Sequence, residues 1–307
     1  MKFKSLFVFG KSFMYYKLRS KSIGYPKVLS TEKSINYLLN HPNISLARIG
    51  DGEIRWASGI ENGSGFQSND EKLAKELTEV MTHHNSNLKL AVPDVFSNAE
   101  KKYTLGNALA WIVFLVRYRE QWVKLISKEY QYLDANLSRL YIDRKNKKRS
   151  PKLFSLLQQL WEGKNILTVE GAFTLLGYKN ELFDNAKSIS RVVVPAKDAY
   201  SIVDDIEESV RQLIDSGQVD VVLLSVGPTA TVLADRLANT RIPVYDVGHF
   251  DIEFEWMKMG VNKRTRIPAK YVNEIDIAEK SKGKENSAEL KGIMDTPLKK
   301  QVIKQFV

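Results

Sequence analysis

Two carboxylates separated by one glycine follow a short apolar segment of the chain. The run Ile44–Ile49 predicts a buried strand, and it leads directly into residues 50–53, which read Gly-Asp-Gly-Glu. Glycine permits a tight turn, so Asp51 and Glu53 are expected at the carboxyl end of this strand, where α/β sheets bind ligands. Two close carboxylates without histidine or cysteine suit Mg²⁺ or Mn²⁺. The pair therefore favours an enzyme that acts on a nucleotide diphosphate. The alternative is a polar turn in which Asp51 caps the next helix.

A second group of chemically active side chains follows the last predicted strand. Residues 246–256 contain four carboxylates and one of the four histidines. Gly248 lets the chain turn, and His249 would then face a pocket at the carboxyl edge of the sheet. A general base for a sugar hydroxyl, or a group that binds the hydroxyl, is expected among His249, Asp251 and Glu253. Two alternatives stay open: Asp251 caps its own helix, or His249 and Asp251 pair to fix the turn.

Strand-like and helix-like segments alternate along the chain, which predicts an α/β fold. This alternation indicates a mostly parallel sheet with helices on both faces. The clearest strand, Val219–Val226, is followed by Gly227, Pro228 and Thr229 at the start of a helix, whose free N–H groups suit a phosphate. The predicted strands are Ile44–Ile49, Leu88–Val92, Asn165–Val169, Arg191–Val194, Val219–Val226 and Pro243–Val247. The predicted helices are Thr31–Asn40, Asp70–His84, Thr104–Ser127, Pro151–Trp161, Ser201–Ser216, Ala230–Asn239 and Asp251–Met259.

The positive charge of the chain is concentrated at its two ends. The net charge is +10 over 307 residues, with +7 in residues 1–30, +6 in residues 257–307 and −3 in between. A nucleic-acid enzyme would place its basic stripe on the folded core, so no nucleic-acid partner is expected. Basic ends fit peripheral contact with an anionic membrane surface, although solubility alone would also explain them. The chain contains no cysteine, which excludes disulfides, thiolate metal sites and a cysteine nucleophile. We expect a cytoplasmic location, with contact at the inner face of the membrane as an option.

Over residues 30–275 the chain resembles bacterial glycosyltransferases of the GT-D fold, first described as a domain of unknown function and found in adhesin-glycan and surface-polysaccharide biosynthesis. The resemblance lies in the number and order of motifs that are individually weak. These motifs are Arg48–Glu53, Phe66-Gln67, Pro93–Phe96, Tyr141–Asp143, Val169–Gly171, Leu182–Ile189, Pro195–Lys197, Gly227–Leu233, Asp246–Trp256 and Lys270–Glu274.

The resemblance implies a Rossmann-like nucleotide-binding domain of the GT-D type. It also implies a metal-dependent transfer of a hexose-type sugar from a UDP-sugar to a glycan or glycoprotein acceptor. It implies that Asp51 and Glu53 hold Mn²⁺ or Mg²⁺, although Asp251 and Glu253 form a second Asp-x-Glu pair and leave this assignment open. The metal would offset the charge that builds on the leaving UDP. The residues expected to bind the nucleotide sugar are Arg48, Gly50, Phe66, Gln67, Lys197, Gly227, Pro228 and Thr229.

The resemblance also divides the chain into three parts. A basic, aromatic segment covers residues 1–30, the GT-D-like domain covers residues 31–275, and a Lys-rich tail covers residues 276–307. The tail is expected to be loosely ordered and to end in a short helix. Two other functions compete with sugar transfer: a phosphoryl-transfer enzyme that uses the same carboxylates, and a non-catalytic scaffold that docks through its basic ends.

Overall fold

The computed structural model describes residues 10, 12–14, 16, 25–60, 63–64, 67–68, 70–272, 275 and 290–306. Eleven strands are found within these residues, and nine of them form one sheet in the order β1-β6-β5-β2-β10-β9-β7-β8-β11. Every pairing in this sheet is parallel. The strands are β1 Lys27–Val28, β2 Ser45–Arg48, β3 Gly63–Ser64, β4 Gln67–Ser68, β5 Leu88–Val92, β6 Gln131–Asp134, β7 Asn165–Gly171, β8 Ser188–Val194, β9 Val221–Ser225, β10 Val244–Asp246 and β11 Val302–Gln305.

Ten α-helices connect these strands within the described residues. They are α1 Thr31–Asn40, α2 Asp51–Ala57, α3 Glu71–Thr82, α4 Ala99–Lys102, α5 Leu105–Arg117, α6 Arg119–Leu125, α7 Ser150–Gln158, α8 Val203–Asp215, α9 Pro228–Arg236 and α10 Phe250–Met259. No helix in this part of the chain is both long enough and apolar enough to cross a membrane.

The helices cover both faces of the sheet, as predicted. Alternate residues of β9 show the division: Val222 and Leu224 pack with α3, α5, α8 and α9, whereas Val221 and Leu223 pack with α1, α7 and α10. Side chains of a strand point alternately to the two faces, so two cores form on one continuous apolar strand. The predicted α/β class with a mostly parallel, doubly covered sheet is confirmed.

The order of the strands changes direction at β2, near the middle of the sheet. The next strand of the sheet in sequence, β5, pairs with one edge of β2, whereas β10, which comes much later in the chain, pairs with the other edge. The connections that leave β2 and β10 therefore run apart, and a crevice opens at the carboxyl ends of these strands. The two Asp-x-Glu sequences directly follow these two strands.

The tail differs from its prediction. Residues 290–306 form two short 3₁₀ turns and then β11, which adds a parallel strand beside β8. Ile293 is buried with Leu175 and Val193, and the Arg191 side chain donates from Nε to Gln301 Oε1 at 2.7 Å. The expectation of a loosely ordered extension that ends in a helix is wrong for these residues, because apolar and polar contacts hold them against the sheet.

Two other predictions need correction. The single helix expected over Thr104–Ser127 is two helices, α5 and α6, because Tyr118 leaves the helical conformation between them. Strand β6 was not predicted, since its four residues contain only two apolar ones and its last residue, Asp134, is a buried acid. That carboxylate is satisfied by the Thr31 hydroxyl at 2.5 Å and by Arg144 at 2.7 Å.

Candidate functional site

A cavity of about 540 Å³ opens at the carboxyl ends of β2, β5 and β6. Its wall includes the start of α2, one side of α5 and the segment that follows β6. A smaller cavity of about 110 Å³ lies at the ends of β7, β8 and β9, and the two cavities share Gly227 and His249 in their walls. His249 therefore stands where the sequence placed it, at a pocket on the carboxyl edge.

Asp51 and Glu53 both line the larger cavity, but their side chains make different contacts. Glu53 turns back and accepts the N–H of Gly50 at 2.7 Å, which is the acidic half of a capping box at the start of α2; Gly50 has no side chain to supply the other half. Asp51 is half-exposed, and its Oδ2 accepts from Arg55 Nη2 at 3.0 Å. The helix cap is therefore Gly50 with Glu53, and the alternative in which Asp51 caps the helix is wrong.

The environment of Glu53 changes its acidity. Burial raises the pKa of Glu53 to about 7, and the nearby Asp246 carboxylate adds to the rise, while backbone hydrogen bonds and Arg48 oppose it. A bound divalent cation would favour the ionised form. Groups of three or more metal-ligating side chains do not occur among the described residues, so a cation at Asp51 and Glu53 would need oxygen ligands from elsewhere.

Arg48 is committed to the protein rather than free for a ligand. Its guanidinium donates to Asp246 Oδ1 from Nη2 at 2.8 Å and to the Ser138 hydroxyl from Nη1 at 2.6 Å. Gly248 makes this arrangement possible: its φ is +46°, and a Cβ there would lie 1.9 Å from Arg48 Nη2. Arg48, which was predicted to bind the nucleotide sugar, lines the larger cavity, but its charge is largely compensated by Asp246.

The second Asp-x-Glu pair is built into the protein interior. Asp251 is fully buried, and it accepts from Lys270 Nζ at 2.7 Å and from the Gly177 N–H at 2.9 Å. Lys270 also contacts Glu255 at 3.0 Å. Asp251 lines the smaller cavity, but these contacts occupy its carboxylate, and its side chain does not cap α10. The role of this group is to fix α10 beneath His249.

Glu253 lies away from both cavities. It is fully buried, and its Oε2 accepts the N–H groups of Tyr141 and Ile142 at 2.7 and 2.8 Å. Burial raises the pKa of Glu253. The carboxylate thus anchors the segment after β6, and this position does not bring it to a substrate in either cavity.

The remaining residues predicted to bind the nucleotide sugar fall into three groups: those that line a cavity, those that line neither cavity, and one that lies outside the described residues. Gly227 lines both cavities with φ +60°, and Gln67 lines the smaller one, whereas Gly50 lines the larger one. Pro228 and Thr229 are buried at the start of α9, and Lys197 is exposed and lines neither cavity. Phe66 lies outside the described residues.

The structure also shows cavity residues to which the sequence gave no role. Asp143 is buried and holds two arginines of the wall, Arg139 at 2.9 Å and Arg264 at 3.1 Å. On α5, Trp111 and Phe114 form an aromatic part of the same wall. The sequence gave little indication of the ion pairs around Asp143. Arg139 and Asp143 are only four residues apart, but Arg264 joins them from a distant part of the chain.

Comparison with known proteins decides the family. The model of the glycosyltransferase GT-D fold matches residues 46–275, well over half of the chain. The chain belongs to the GT-D glycosyltransferase fold family. This confirms the resemblance seen in the sequence. A domain of unknown function 1792, described as having a distinct glycosyltransferase fold, is 30% identical with a TM-score of 0.83, and the match covers 96% of this chain and 99% of that one. A glycosyltransferase (DUF1792) from Streptococcus sanguinis is also 30% identical, with a TM-score of 0.82 over 92% of this chain and 100% of that one.

Two curated relatives are longer proteins. The probable glycosyl transferase Gly of Streptococcus gordonii is 34% identical over 80% of this GT-D chain, and glycosyltransferase GlyD of Streptococcus pneumoniae is 32% identical over 81%. The matched regions make up 35% and 30% of those two proteins. The chain thus spans about a third of the length of the curated relatives that it matches.

Proposed function

We propose that this protein is a metal-dependent glycosyltransferase that moves a hexose-type sugar from a UDP-sugar to a glycan or glycoprotein acceptor. Membership of the GT-D fold family supports the class of reaction. The observation that carries the proposal is one cavity in which Asp51 and Glu53 lie in the same wall as an arginine pair and His249. A nucleotide diphosphate needs both a divalent cation and direct positive contacts, and this cavity offers residues for each.

The carboxylate oxygens of Asp51 and Glu53 fit Mn²⁺ or Mg²⁺, because both ions prefer oxygen ligands. Such an ion is commonly bound by one or two carboxylates together with oxygens of the substrate phosphates. When bound, the cation would stabilise the negative charge that develops on the leaving diphosphate. Asp51 is the more available ligand because it is half-exposed, whereas one oxygen of Glu53 already accepts the Gly50 N–H. The alternative pair, Asp251 and Glu253, is disfavoured because Lys270 and the Gly177 N–H occupy Asp251, and because Glu253 is buried away from both cavities.

Arg139 and Arg264 are the proposed phosphate contacts. Asp143 orients both guanidiniums, so they lose little freedom when an anion binds. We place the nucleoside in the smaller cavity, where Gln67 and Gly227 lie, and the transferred sugar beside Asp51 in the larger one. His249, in the wall of both, is then in position to accept the proton of the acceptor hydroxyl. Asp251, held by Lys270, fixes the helix that carries His249.

The proposed setting is the cytoplasm, with peripheral contact to the inner face of the membrane through the basic ends and without a nucleic-acid partner. The contact expected of the basic N-terminal segment falls mostly on residues outside those that the structure describes.

The test is UDP release from a panel of UDP-sugars, with and without Mn²⁺ or Mg²⁺. Metal-dependent release from one donor, increased by a glycan acceptor, is the expected result. Release of inorganic phosphate from a nucleotide without any acceptor would instead favour phosphoryl transfer by the same carboxylates. The absence of UDP release and of metal-dependent UDP binding would refute both enzymatic functions and favour the scaffold.

A further inference from the structure

Helix α5 gives the larger cavity one wall without charge. The helix contains no charged residue from Leu105 to Val116. One side of it, which includes Ala108 and Ile112, is buried in the core, and another side lines the cavity. The cavity-lining residues of α5 are Asn107, Ala110, Trp111 and Phe114. The same cavity therefore combines a charged part, which suits a diphosphate and a cation, with an aromatic part that suits neither.

Trp111 is the aromatic group of α5 that a ligand can reach. It is only partly buried, whereas Phe114 is buried against the core. The two rings meet edge to face, with centroids 5.6 Å apart and planes at 86°. Phe114 thus limits the orientations of the Trp111 ring, and Ala110, which lines the same wall, is exposed. A ring fixed in this way loses little conformational entropy on binding a ligand.

The chemistry of this wall matches a neutral sugar ring. One face of a pyranose carries C–H groups with a small positive charge, and the face of an indole is negative, so the two stack while the hydroxyls point elsewhere. A phosphate gains nothing from such a surface. Within the proposed function, on which this inference rests, we propose that Trp111 is the stacking platform for the acceptor sugar.

The position of Trp111 favours the acceptor over the nucleobase. The smaller cavity, assigned to the nucleoside, lies on the other side of His249 and Gly227 and does not include Trp111. The transferred sugar, placed beside Asp51, shares the larger cavity with Trp111. An acceptor stacked on Trp111 therefore lies in the same cavity as the sugar that it receives, apart from the nucleoside.

The experiment compares W111A and W111F with a matched variant of the same helix, L105A, whose side chain is exposed and lines neither cavity. Saturation-transfer NMR measures binding of a panel of neutral methyl hexosides to the protein with UDP and Mn²⁺. Calorimetry measures UDP binding separately. We expect W111A to weaken binding of the hexoside that the wild type prefers by about tenfold and W111F by about threefold, without a change in UDP affinity. L105A should behave as the wild type.

Two results would overturn the inference. If W111A weakens UDP binding and leaves the hexosides unaffected, Trp111 contacts the nucleobase. If the wild type binds no hexoside, or if W111A binds them all equally well, the aromatic wall is not an acceptor site. Neither result depends on turnover, so both are distinct from failure of the proposed function, which would appear as the absence of UDP release by the wild type.

Discussion

Gly248→Ala is a direct test of how the site is held together. At φ +46° an alanine is strained by about 1 kcal/mol, and its Cβ would lie 1.9 Å from Arg48 Nη2 and 2.7 Å from Cζ. The guanidinium must therefore move away from Asp246, whose side chain is only 3% exposed. Loss of one partner of a buried ion pair costs about 3–5 kcal/mol. Arg48 retains some access to the cavity, so we expect the lower part of that range.

The matched control is Gly260→Ala. Gly260 has a similar φ of +65°, but a Cβ there would meet nothing within 4 Å. Backbone strain and the loss of unfolded-state entropy are common to both variants and cancel in the comparison. Urea unfolding should therefore show G248A to be less stable than G260A by about 3–4 kcal/mol. In an R48A background, G248A should add only about 1 kcal/mol. Equal stabilities of G248A and G260A would refute the reasoning.

Three further predictions address the buried ion pair, the acidity of Glu53 and the tail. K270M should lower the free energy of unfolding, measured by urea titration, by about 3–5 kcal/mol because it leaves Asp251 buried without its cation. The double variant D251N/K270M should recover part of this loss. Full stability of K270M would contradict the assignment of this ion pair. Glu53, with a pKa raised to about 7, is mostly protonated at pH 6 and mostly ionised at pH 8, so Mn²⁺ affinity measured by calorimetry should fall about tenfold on going from pH 8 to pH 6. An equal fall in E53Q would exclude Glu53 as the cause. I293A should cost about 2–4 kcal/mol through loss of packing, whereas M294A, at an exposed neighbour, should cost less than about 0.5 kcal/mol. Similar values for these two variants would show that the tail contributes little to the sheet.

The sequence predicted the parts of this protein that depend on local patterns. Six strands of the sheet, most of the helices between them and the two Asp-x-Glu sequences at its carboxyl edge follow from apolar runs and glycines that lie within a few residues of each other. The two pairs are locally alike, however, and the sequence did not distinguish them. The difference comes from Lys270, which lies 19 residues beyond Asp251, and from the N–H groups of Tyr141 and Ile142, which approach Glu253 from across the fold.

The features that were not predicted depend on contacts between distant segments. Asp143 joins Arg139, four residues away, to Arg264, more than a hundred residues away, and only the folded chain brings them to one wall. Strand β11 has the short, mostly exposed sequence Val-Ile-Lys-Gln, whose two apolar residues are too few to indicate a strand. It enters the sheet because β8 offers an unpaired edge and because Ile293 and Gln301 attach the preceding turns to the core.

The most direct test of the central claim is Mn²⁺-dependent UDP release by D51N and by D205N. Asp205 is an exposed acid on α8 that lines neither cavity, so it controls for the loss of one surface charge. We expect D205N to match the wild type and D51N to lose at least about tenfold in turnover, with a higher Mn²⁺ concentration needed for half-maximal rate. Undiminished turnover of D51N at saturating Mn²⁺ would contradict the assignment of the metal to Asp51 and Glu53.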